Sequence, residues 1–223
     1  MRPLVKLVIA PHPDDEVLGA GGAMARWVRE GHSVQVAVVT RGRPPLYPEE
    51  GEAQCREEAR AAHGRLGVAT TWYLDLPAAE LDVMPHRVLN GKLGEIIRAC
   101  DPDELYLPFP GDVHLDHQLV FHSALVAARP NRTGYPEQVY AYETLSETNW
   151  NAPFLTPSFV PNHFVDITGT LDAKLEAMAL YRSQLQPAPH ERSLAAVRAL
   201  ATLRGATVGL GAAEAFVTIR TVN

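Results

Sequence analysis

Two short segments of the chain concentrate side chains that can bind a metal ion and move protons. The first is Pro11-His12-Pro13-Asp14-Asp15-Glu16, and the second, far along the chain, is Asp112-Val113-His114-Leu115-Asp116-His117. At the start of a helix, residues three apart lie on one face, so the two histidines of the second segment would stand one turn apart. Two histidines and one carboxylate leave an open position on a divalent ion, as in catalytic zinc sites. We therefore predict a metal-dependent hydrolase that binds its ion through His12, Asp15 and His117.

The other polar groups of the two segments are suited to the proton transfers of hydrolysis. The ion lowers the pKa of a bound water towards neutrality, and Asp14, next to a ligand, is placed to take the proton of that water as general base. We expect His114 to be cationic, to stabilise the oxyanion and then to protonate the leaving amine. Asp116 is expected to raise the pKa of His114 and to orient its ring. Glu16 is expected either to orient the metal ligands without binding the ion itself or to cap the next helix.

These residue types also have ordinary structural uses. A single His-x-x-His pair on a helix is a weak sign of a metal site, and an Asp-Asp pair after a strand often serves only as a helix N-cap. The remaining histidines are expected to be surface residues or satisfied core residues: His32, His63, His86, His122, His163 and His190. The functional interpretation depends on the two clusters together, because each cluster directly follows the end of a strand in the predicted sheet.

Strand and helix patterns alternate along most of the chain and predict a doubly wound α/β fold. Strands are predicted at residues 4–10, 33–40, 68–74, 104–108 and 138–142, with helices at residues 17–30, 49–66, 84–99 and 114–128. In the usual order 3-2-1-4-5, the first and fourth strands are neighbours at the switch point, where ligands gather at the carboxyl ends of strands. This sheet would bring the two polar segments together.

The C-terminal part of the chain has a different pattern. Residues 150–164 are aromatic and proline-rich, helices are predicted at residues 171–183 and 193–204, and a last short strand at residues 215–220. We find no repeat, low-complexity tract or linker. The prediction is one domain, residues 1–223, with a mostly parallel, Rossmann-like sheet of order 3-2-1-4-5 plus a C-terminal strand.

Composition narrows the classes of partner. With 223 residues, a net charge of −6 and a pI of about 5.8, the chain has no basic field that would attract nucleic acid or anionic lipid. Its two cysteines, Cys55 and Cys100, form no CxxC pair, so imidazole and carboxylate groups must hold any metal. No apolar run approaches the roughly 20 residues that span a bilayer, and no signal peptide is recognised. We expect a cytoplasmic protein with a small-molecule partner and neither nucleic acid nor membrane; a homo-oligomer is left open.

The motifs resemble those of a known family, the PIG-L/LmbE-like N-acetylglucosaminyl deacetylases. The first segment, extended by Leu18-Gly19 and Gly21-Gly22, carries the most specific part of the resemblance, and His114-Leu115-Asp116-His117 carries the second. Supporting matches are spread over most of the chain: Arg56-Glu57, Ala59, Leu66-Gly67, Tyr142-Glu143, Lys174, Tyr181, Ser183-Gln184 and Ala213-Glu214-Ala215-Phe216. The resemblance implies hydrolysis of an N-acetyl group on a glucosamine moiety, with one Zn²⁺ per chain, or another divalent ion such as Fe²⁺, and release of acetate and an amine.

The family's roles carry over by position. The resemblance implies His12, Asp15 and His117 as ligands, Asp14 as base, and His114 assisted by Asp116 at the oxyanion and the leaving group. Arg56 is similar to a family residue near the substrate, where it would pair with an anionic aglycone, although a surface helix charge is an equal alternative.

Two positions depart from the family pattern. Leu115 replaces a common proline that mainly fixes a helix start, so the chemistry should survive. Asp112 stands where some members have an oxyanion tyrosine; we expect it to bind a sugar hydroxyl, or else to cap the loop.

Two functions of other classes compete with hydrolysis. The glycines after Asp14-Asp15 suggest a nucleotide-binding Rossmann protein, but two aspartates would repel a pyrophosphate and the GxGxxG spacing is missing. A carbohydrate-binding protein without hydrolytic activity is the other alternative. The resemblance suggests a small soluble amino sugar such as N-acetylglucosaminyl malate, and nothing in the sequence selects the aglycone.

Overall fold

A seven-stranded sheet extends from the first residues of the chain to the last. The computed structural model describes residues 2–130 and 134–222. The strands are β1 (Val5–Ala10), β2 (Ser33–Arg41), β3 (Thr70–Pro77), β4 (Glu104–Pro108), β5 (Gln138–Tyr142), β6 (His163–Asp166) and β7 (Ala213–Thr221). Their order in the sheet is β3-β2-β1-β4-β5-β7-β6, in which β1 to β5 are parallel and β7 runs antiparallel to β5 and β6. The predicted fold class and the order 3-2-1-4-5 followed by a C-terminal strand are confirmed.

Six α-helices accompany the strands in the part of the chain that the structure describes. They are α1 (Asp15–Arg29), α2 (Glu49–Leu66), α3 (His86–Cys100), α4 (Leu115–Ala127), α5 (Leu171–Leu180) and α6 (Leu194–Thr207). Helices cover both faces of the sheet, which explains why β1 is apolar on both sides rather than alternating. Val8 belongs to one hydrophobic cluster, whereas Leu7 and Ile9 belong to the other. The core is therefore split by the sheet into two layers.

The switch point of the sheet lies between β1 and β4, as predicted. Lys6 of β1 pairs with Glu104 of β4, while the next strand along the chain, β2, lies on the other side of β1. Both β1 and β4 end at the same edge of the sheet because they are parallel. The two polar segments leave from these ends.

The structure corrects the sequence prediction at β6. Residues 150–164 were expected to contain no strand, yet His163–Asp166 forms the edge strand next to β7. This strand has only four residues and follows Pro161 and Asn162, so it offers too short a pattern to recognise. Its partner β7 begins at Ala213, two residues before the predicted start.

Glycines in α1 permit close packing of this helix on its neighbours. A Cβ atom on Gly19 would lie 2.2 Å from Cδ2 of Tyr142, and one on Gly22 would lie 2.7 Å from Cδ1 of Ile167. These contacts account for the glycines that suggested nucleotide binding. The close packing of α1 on its neighbours therefore explains these glycines without any nucleotide.

Among residues 2–130 and 134–222, none of the helices combines the length and the apolarity that crossing a bilayer requires.

Candidate metal centre

The ends of β1 and β4 bring three potential ligands together, as the sequence analysis expected. Nε2 of His117 lies 3.2 Å from Oδ2 of Asp15, and Nδ1 of His12 lies 3.3 Å from the same oxygen. One ligand atom from each of these residues falls within 4.8 Å of the others. Asp15 and His117 are almost completely buried, whereas His12 is partly exposed. The group is thus open on the side of His12.

Unpartnered atoms show that this group fits a metal ion. Oδ1 of Asp15 and Nε2 of His117 are buried and form no hydrogen bond. Buried polar atoms without a hydrogen bond are costly and rare in proteins, so two of them in adjacent side chains call for an explanation. A divalent cation would satisfy both, and nitrogen ligands favour zinc or a similar transition metal over magnesium.

The carboxylates around His12 and His117 favour a positive charge on these two imidazoles. Burial alone would lower the pKa of His12, but hydrogen bonds with Asp116 and Asp15 outweigh it and raise the pKa to about 9. Burial likewise opposes protonation of His117, but Asp15 and Asp112 raise its pKa to about 10. The carboxylates thus create a strongly negative environment. A divalent cation would replace the protons that these imidazoles otherwise attract.

A second group shares His12 but is less suited to an ion. Ligand atoms of His12, His114 and Asp116 also lie within 4.8 Å of one another. However, Nδ1 of His114 already accepts a hydrogen bond from the backbone N–H of Asp116 (3.1 Å), and Oδ2 of Asp116 accepts one from the backbone N–H of Ala79 (2.7 Å). The buried group with Asp15 and His117 is therefore the better candidate.

Asp112 lies behind His117 rather than in an open pocket. Its Oδ2 is joined to Nδ1 of His117 by a hydrogen bond of 2.8 Å, and its Oδ1 accepts one from Oγ1 of Thr148 at 2.6 Å. The side chain is fully buried. Asp112 thus has no free oxygen for the predicted contact with a sugar hydroxyl, and it instead orients the imidazole of His117.

Asp14 occupies the N-cap position of α1 but does not cap the helix. Its side chain makes no capping hydrogen bond, and its backbone has a φ of 111°, in a region that residues other than glycine rarely adopt. Its Oδ2 is buried without a hydrogen bond. Burial raises the pKa of Asp14 well above its usual value, while Arg192 opposes this effect. The structure thus gives no support to the N-cap alternative for Asp14, and its Oδ2 is left without a hydrogen bond.

The negative charge of Asp116 acts to raise the pKa of His114, as predicted, but the two side chains are not joined directly. Oδ2 of Asp116 lies 3.1 Å from Nε2 of His12 and is not hydrogen-bonded to the ring of His114. Burial, assisted by the nearby charge of His12, lowers the pKa of His114 to about 4. His114 is therefore neutral near pH 7, and it caps α4 through Nδ1. The proton of the neutral ring must be on Nε2, because Nδ1 accepts a hydrogen bond.

Next to this group lies a cavity of about 300 Å³. Asp14 and His114 line it together with residues from several elements: His12, Pro13, Thr40, Gly42, Tyr47, Glu52, Cys55, Ala78, Glu147, Gln184 and Arg192. This volume is within the range of small-molecule sites. The polar lining is suited to a hydroxylated ligand.

Arg56 lies in an adjoining cavity of about 240 Å³ rather than in the one next to the ligands. Pro13, Thr40, Glu52 and Cys55 line both cavities. The guanidinium of Arg56 lies 3.2 Å from Asp75 and stacks over the ring of Tyr73.

Arg192 and Glu147, which are charged residues of the larger cavity, were not predicted from the sequence. Arg192 lies 3.5 Å from Oδ2 of Asp14 and 3.6 Å from Oε1 of Glu147. Its Nε donates to Oγ of Ser146 at 2.7 Å. Neither residue belongs to a recognisable motif, since both lie in irregular segments far from the two polar clusters. Only the fold brings them to the site.

Comparison with known proteins gives consistent results. Residues 7–128 match the model of the PIG-L family, described as GlcNAc-PI de-N-acetylase. The chain is 29% identical to the uncharacterized deacetylase YaiS of Escherichia coli strain K12, over 79% of this chain and 90% of that protein.

Two solved structures of other proteins have a fold similar to that of this chain. The N,N'-diacetylchitobiose deacetylase of Pyrococcus horikoshii has a TM-score of 0.77 and 25% identity, covering 96% of this chain and 83% of that one. A 4-carboxy-2-hydroxymuconate hydratase of Pseudomonas putida has a TM-score of 0.77 and 23% identity, covering 99% and 98%. The second likeness concerns the fold alone, so the reaction must be argued from the site.

Proposed function

Because the chain belongs to the PIG-L family of de-N-acetylases, we propose that it is a zinc-dependent hydrolase acting on a small molecule that contains N-acetylglucosamine. It would remove the N-acetyl group and release acetate and a free amine. The observation that carries this proposal is the pair of buried ligand atoms without hydrogen bonds on Asp15 and His117, beside the carboxylate of Asp14, whose Oδ2 also forms no hydrogen bond. Metal-dependent amide hydrolysis uses a metal ion and a nearby base, and the proximity of these groups supports both roles.

His12, Asp15 and His117 would hold the ion. When bound, zinc supplies a Lewis acid that polarises the amide carbonyl and makes water acidic near neutral pH. Asp112 and Thr148 keep the ring of His117 in one orientation, so that Nε2 faces Asp15. Fe²⁺ or another divalent ion of similar preferences would fit the same donor set.

Asp14 would act as the general base. Its unpartnered Oδ2 can accept a proton from the attacking water, and a bound cation nearby would favour its ionised form despite burial. The same carboxyl group can then pass that proton to the nitrogen of the leaving amine. Asp14 thereby takes over the step that was first expected of a cationic His114.

His114 would stabilise the oxyanion as a neutral donor. Its Nε2–H is available because Nδ1 accepts from the backbone of Asp116. A preorganised donor in a water-poor site stabilises developing negative charge without needing a charge of its own. Asp116 would support the site through His12 instead.

The cavities are consistent with an amino sugar that carries a further polar group. The larger cavity would accept the sugar, and Arg56 in the adjoining cavity remains a candidate contact for the aglycone. Because Arg56 is already paired with Asp75, an anionic aglycone would have to compete with that carboxylate.

The proposal is tested by screening N-acetylglucosaminides for acetate and amine release. The purified protein is first analysed for its metal content. We expect turnover that a chelator abolishes and added zinc restores. Binding of sugars to zinc-loaded protein without hydrolysis of any amide would instead support the carbohydrate-binding alternative.

The role of Asp14 is tested by the substitution Asp14→Asn. We expect kcat to fall by about 10²–10⁴-fold, because an amide cannot accept the proton, with zinc content unchanged. The matched control is Asp82→Asn, since Asp82 is an exposed carboxylate that does not line the cavity. Wild-type turnover in Asp14→Asn would disprove the assignment of the base.

A further inference from the structure

Glu16 is a buried carboxylate that the proposed mechanism does not use. Its side chain is fully buried, and three groups contact its two oxygens. The hydroxyl of Tyr181 donates to Oε1 at 2.6 Å, and Nε2 of His63 lies 3.1 Å from the same oxygen. The backbone N–H of Asp14 donates to Oε2 at 3.2 Å. One carboxylate thus connects two core side chains with the backbone of the proposed base.

The groups around Glu16 come from four different elements. Glu16 lies in the first turn of α1, His63 near the end of α2, and Tyr181 directly after α5. Nδ1 of His63 is hydrogen-bonded to Oγ1 of Thr71 in β3 at 2.8 Å. Each contact is thus anchored in a separate part of the core, which restricts where the carboxylate of Glu16 can lie.

The hydrogen bond between Glu16 and Asp14 lies at a strained position of the backbone. Asp14 has a positive φ of 111°, which a residue with a Cβ rarely adopts and which persists only where the surroundings impose it. A relaxed backbone at this position would turn the side chain of Asp14 in a different direction. The hydrogen bond from its N–H to Glu16 opposes that relaxation.

We propose that Glu16, His63 and Tyr181 form a positioning network that holds the backbone of Asp14 in its strained conformation and so directs its carboxylate into the cavity. None of the three lines the cavity beside the candidate metal site, so each would act as a positioning residue. The inference rests on the proposed function for its effect on catalysis, but the restraint on the Asp14 backbone does not depend on which reaction occurs.

The test compares two buried tyrosines with matching hydrogen bonds. Tyr181→Phe removes the hydroxyl that donates to Glu16, whereas Tyr106→Phe removes a hydroxyl that donates to Glu104 at the same distance of 2.6 Å. Both tyrosines are almost completely buried, but Tyr106 lies in β4 and its partner is at the start of that strand, away from the site. A merely structural role would produce the same effect in both variants.

In the zinc-loaded enzyme, we expect Tyr181→Phe to lower kcat by about tenfold or more, with KM within about twofold of the wild type. We expect Tyr106→Phe to leave both constants unchanged although it loses a comparable bond. His63→Gln should lower kcat in the same way as Tyr181→Phe. Equal losses in the two tyrosine variants, or a loss confined to KM, would overturn the proposal.

A second measurement does not need the reaction. Hydrogen exchange of the Asp14 amide, followed by NMR in the zinc-loaded protein, should be at least about tenfold faster in Tyr181→Phe than in Tyr106→Phe or the wild type. Equal exchange in all three proteins would refute the network. If the wild type hydrolyses no N-acetylated amino sugar, the proposed function fails, and the exchange rates alone decide whether Asp14 is positioned in this way.

Discussion

At the scale of single residues, the candidate metal site depends on carboxylates that orient imidazoles. Asp112 binds Nδ1 of His117, and Thr148 in turn binds Asp112. These two hydrogen bonds keep the proton of the His117 imidazole on Nδ1 and leave the lone pair of Nε2 available to a metal ion. Partners of this kind strengthen metal binding although they never touch the ion.

The substitution Asp112→Asn should therefore weaken zinc binding by about 10–100-fold. An amide can still approach His117, but it lacks the charge that makes the imidazole a better ligand. Zinc affinity is measured by competition with a chelator of known affinity. Asp103→Asn is a suitable control, because Asp103 binds the backbone N–H of Val5 at the opposite end of the sheet and should not alter zinc affinity.

At the scale of elements, the position of the first polar segment depends on how closely α1 approaches β5. The ring of Tyr142 lies over Gly19, and its hydroxyl donates to the backbone oxygen of Ile9 at 2.8 Å. Ile9 is near the end of β1, directly before the polar segment. The close approach of the helix thus also supports the strand that delivers His12.

Gly19→Ala should destabilise the fold by about 1–3 kcal/mol, because the new methyl group would overlap the ring of Tyr142 in a tightly packed core. Gly91→Ala is the matched control: Gly91 lies within α3, and its Cβ would meet nothing within 4 Å. Removing a glycine there should stabilise the fold by about 0.5–1 kcal/mol. Denaturant unfolding measures both changes, and equal signs would contradict the packing argument.

At the scale of the whole molecule, the candidate metal site joins distant parts of the chain. His12 and Asp15 lie between β1 and the start of α1, whereas His117 lies in α4. These three residues come together only in the folded state. The free energy of binding an ion to all three therefore adds to the free energy of unfolding.

Zinc should accordingly raise the melting temperature in a concentration-dependent manner. At a free zinc concentration 100 times Kd, the added stability is about 2.7 kcal/mol. His117→Ala should largely remove the increase, and Mg²⁺ should not replace zinc because it prefers oxygen ligands. An equal zinc effect in the wild type and in His117→Ala would place the ion elsewhere.

Much of this protein could be predicted from the sequence because the relevant signals are local. The apolar run of β1, the alternation of strands and helices, and the polar residues after two strands predicted the sheet order and the meeting of His12, Asp15 and His117. The family follows from the same short segments, and the match to residues 7–128 confirms it. The short edge strand β6 was missed because four residues carry too weak a pattern.

The tertiary structure decided which neighbour each polar group has. Asp116 faces His12 instead of His114, Asp112 faces His117 instead of a sugar, and Arg192 reaches Asp14 from a segment without any motif. Hydrogen-bond partners depend on side-chain direction and on elements that are far apart in the chain. Sequence spacing therefore predicted that the two polar segments meet, and only the packing of the elements determined how their side chains are paired and which other residues join them.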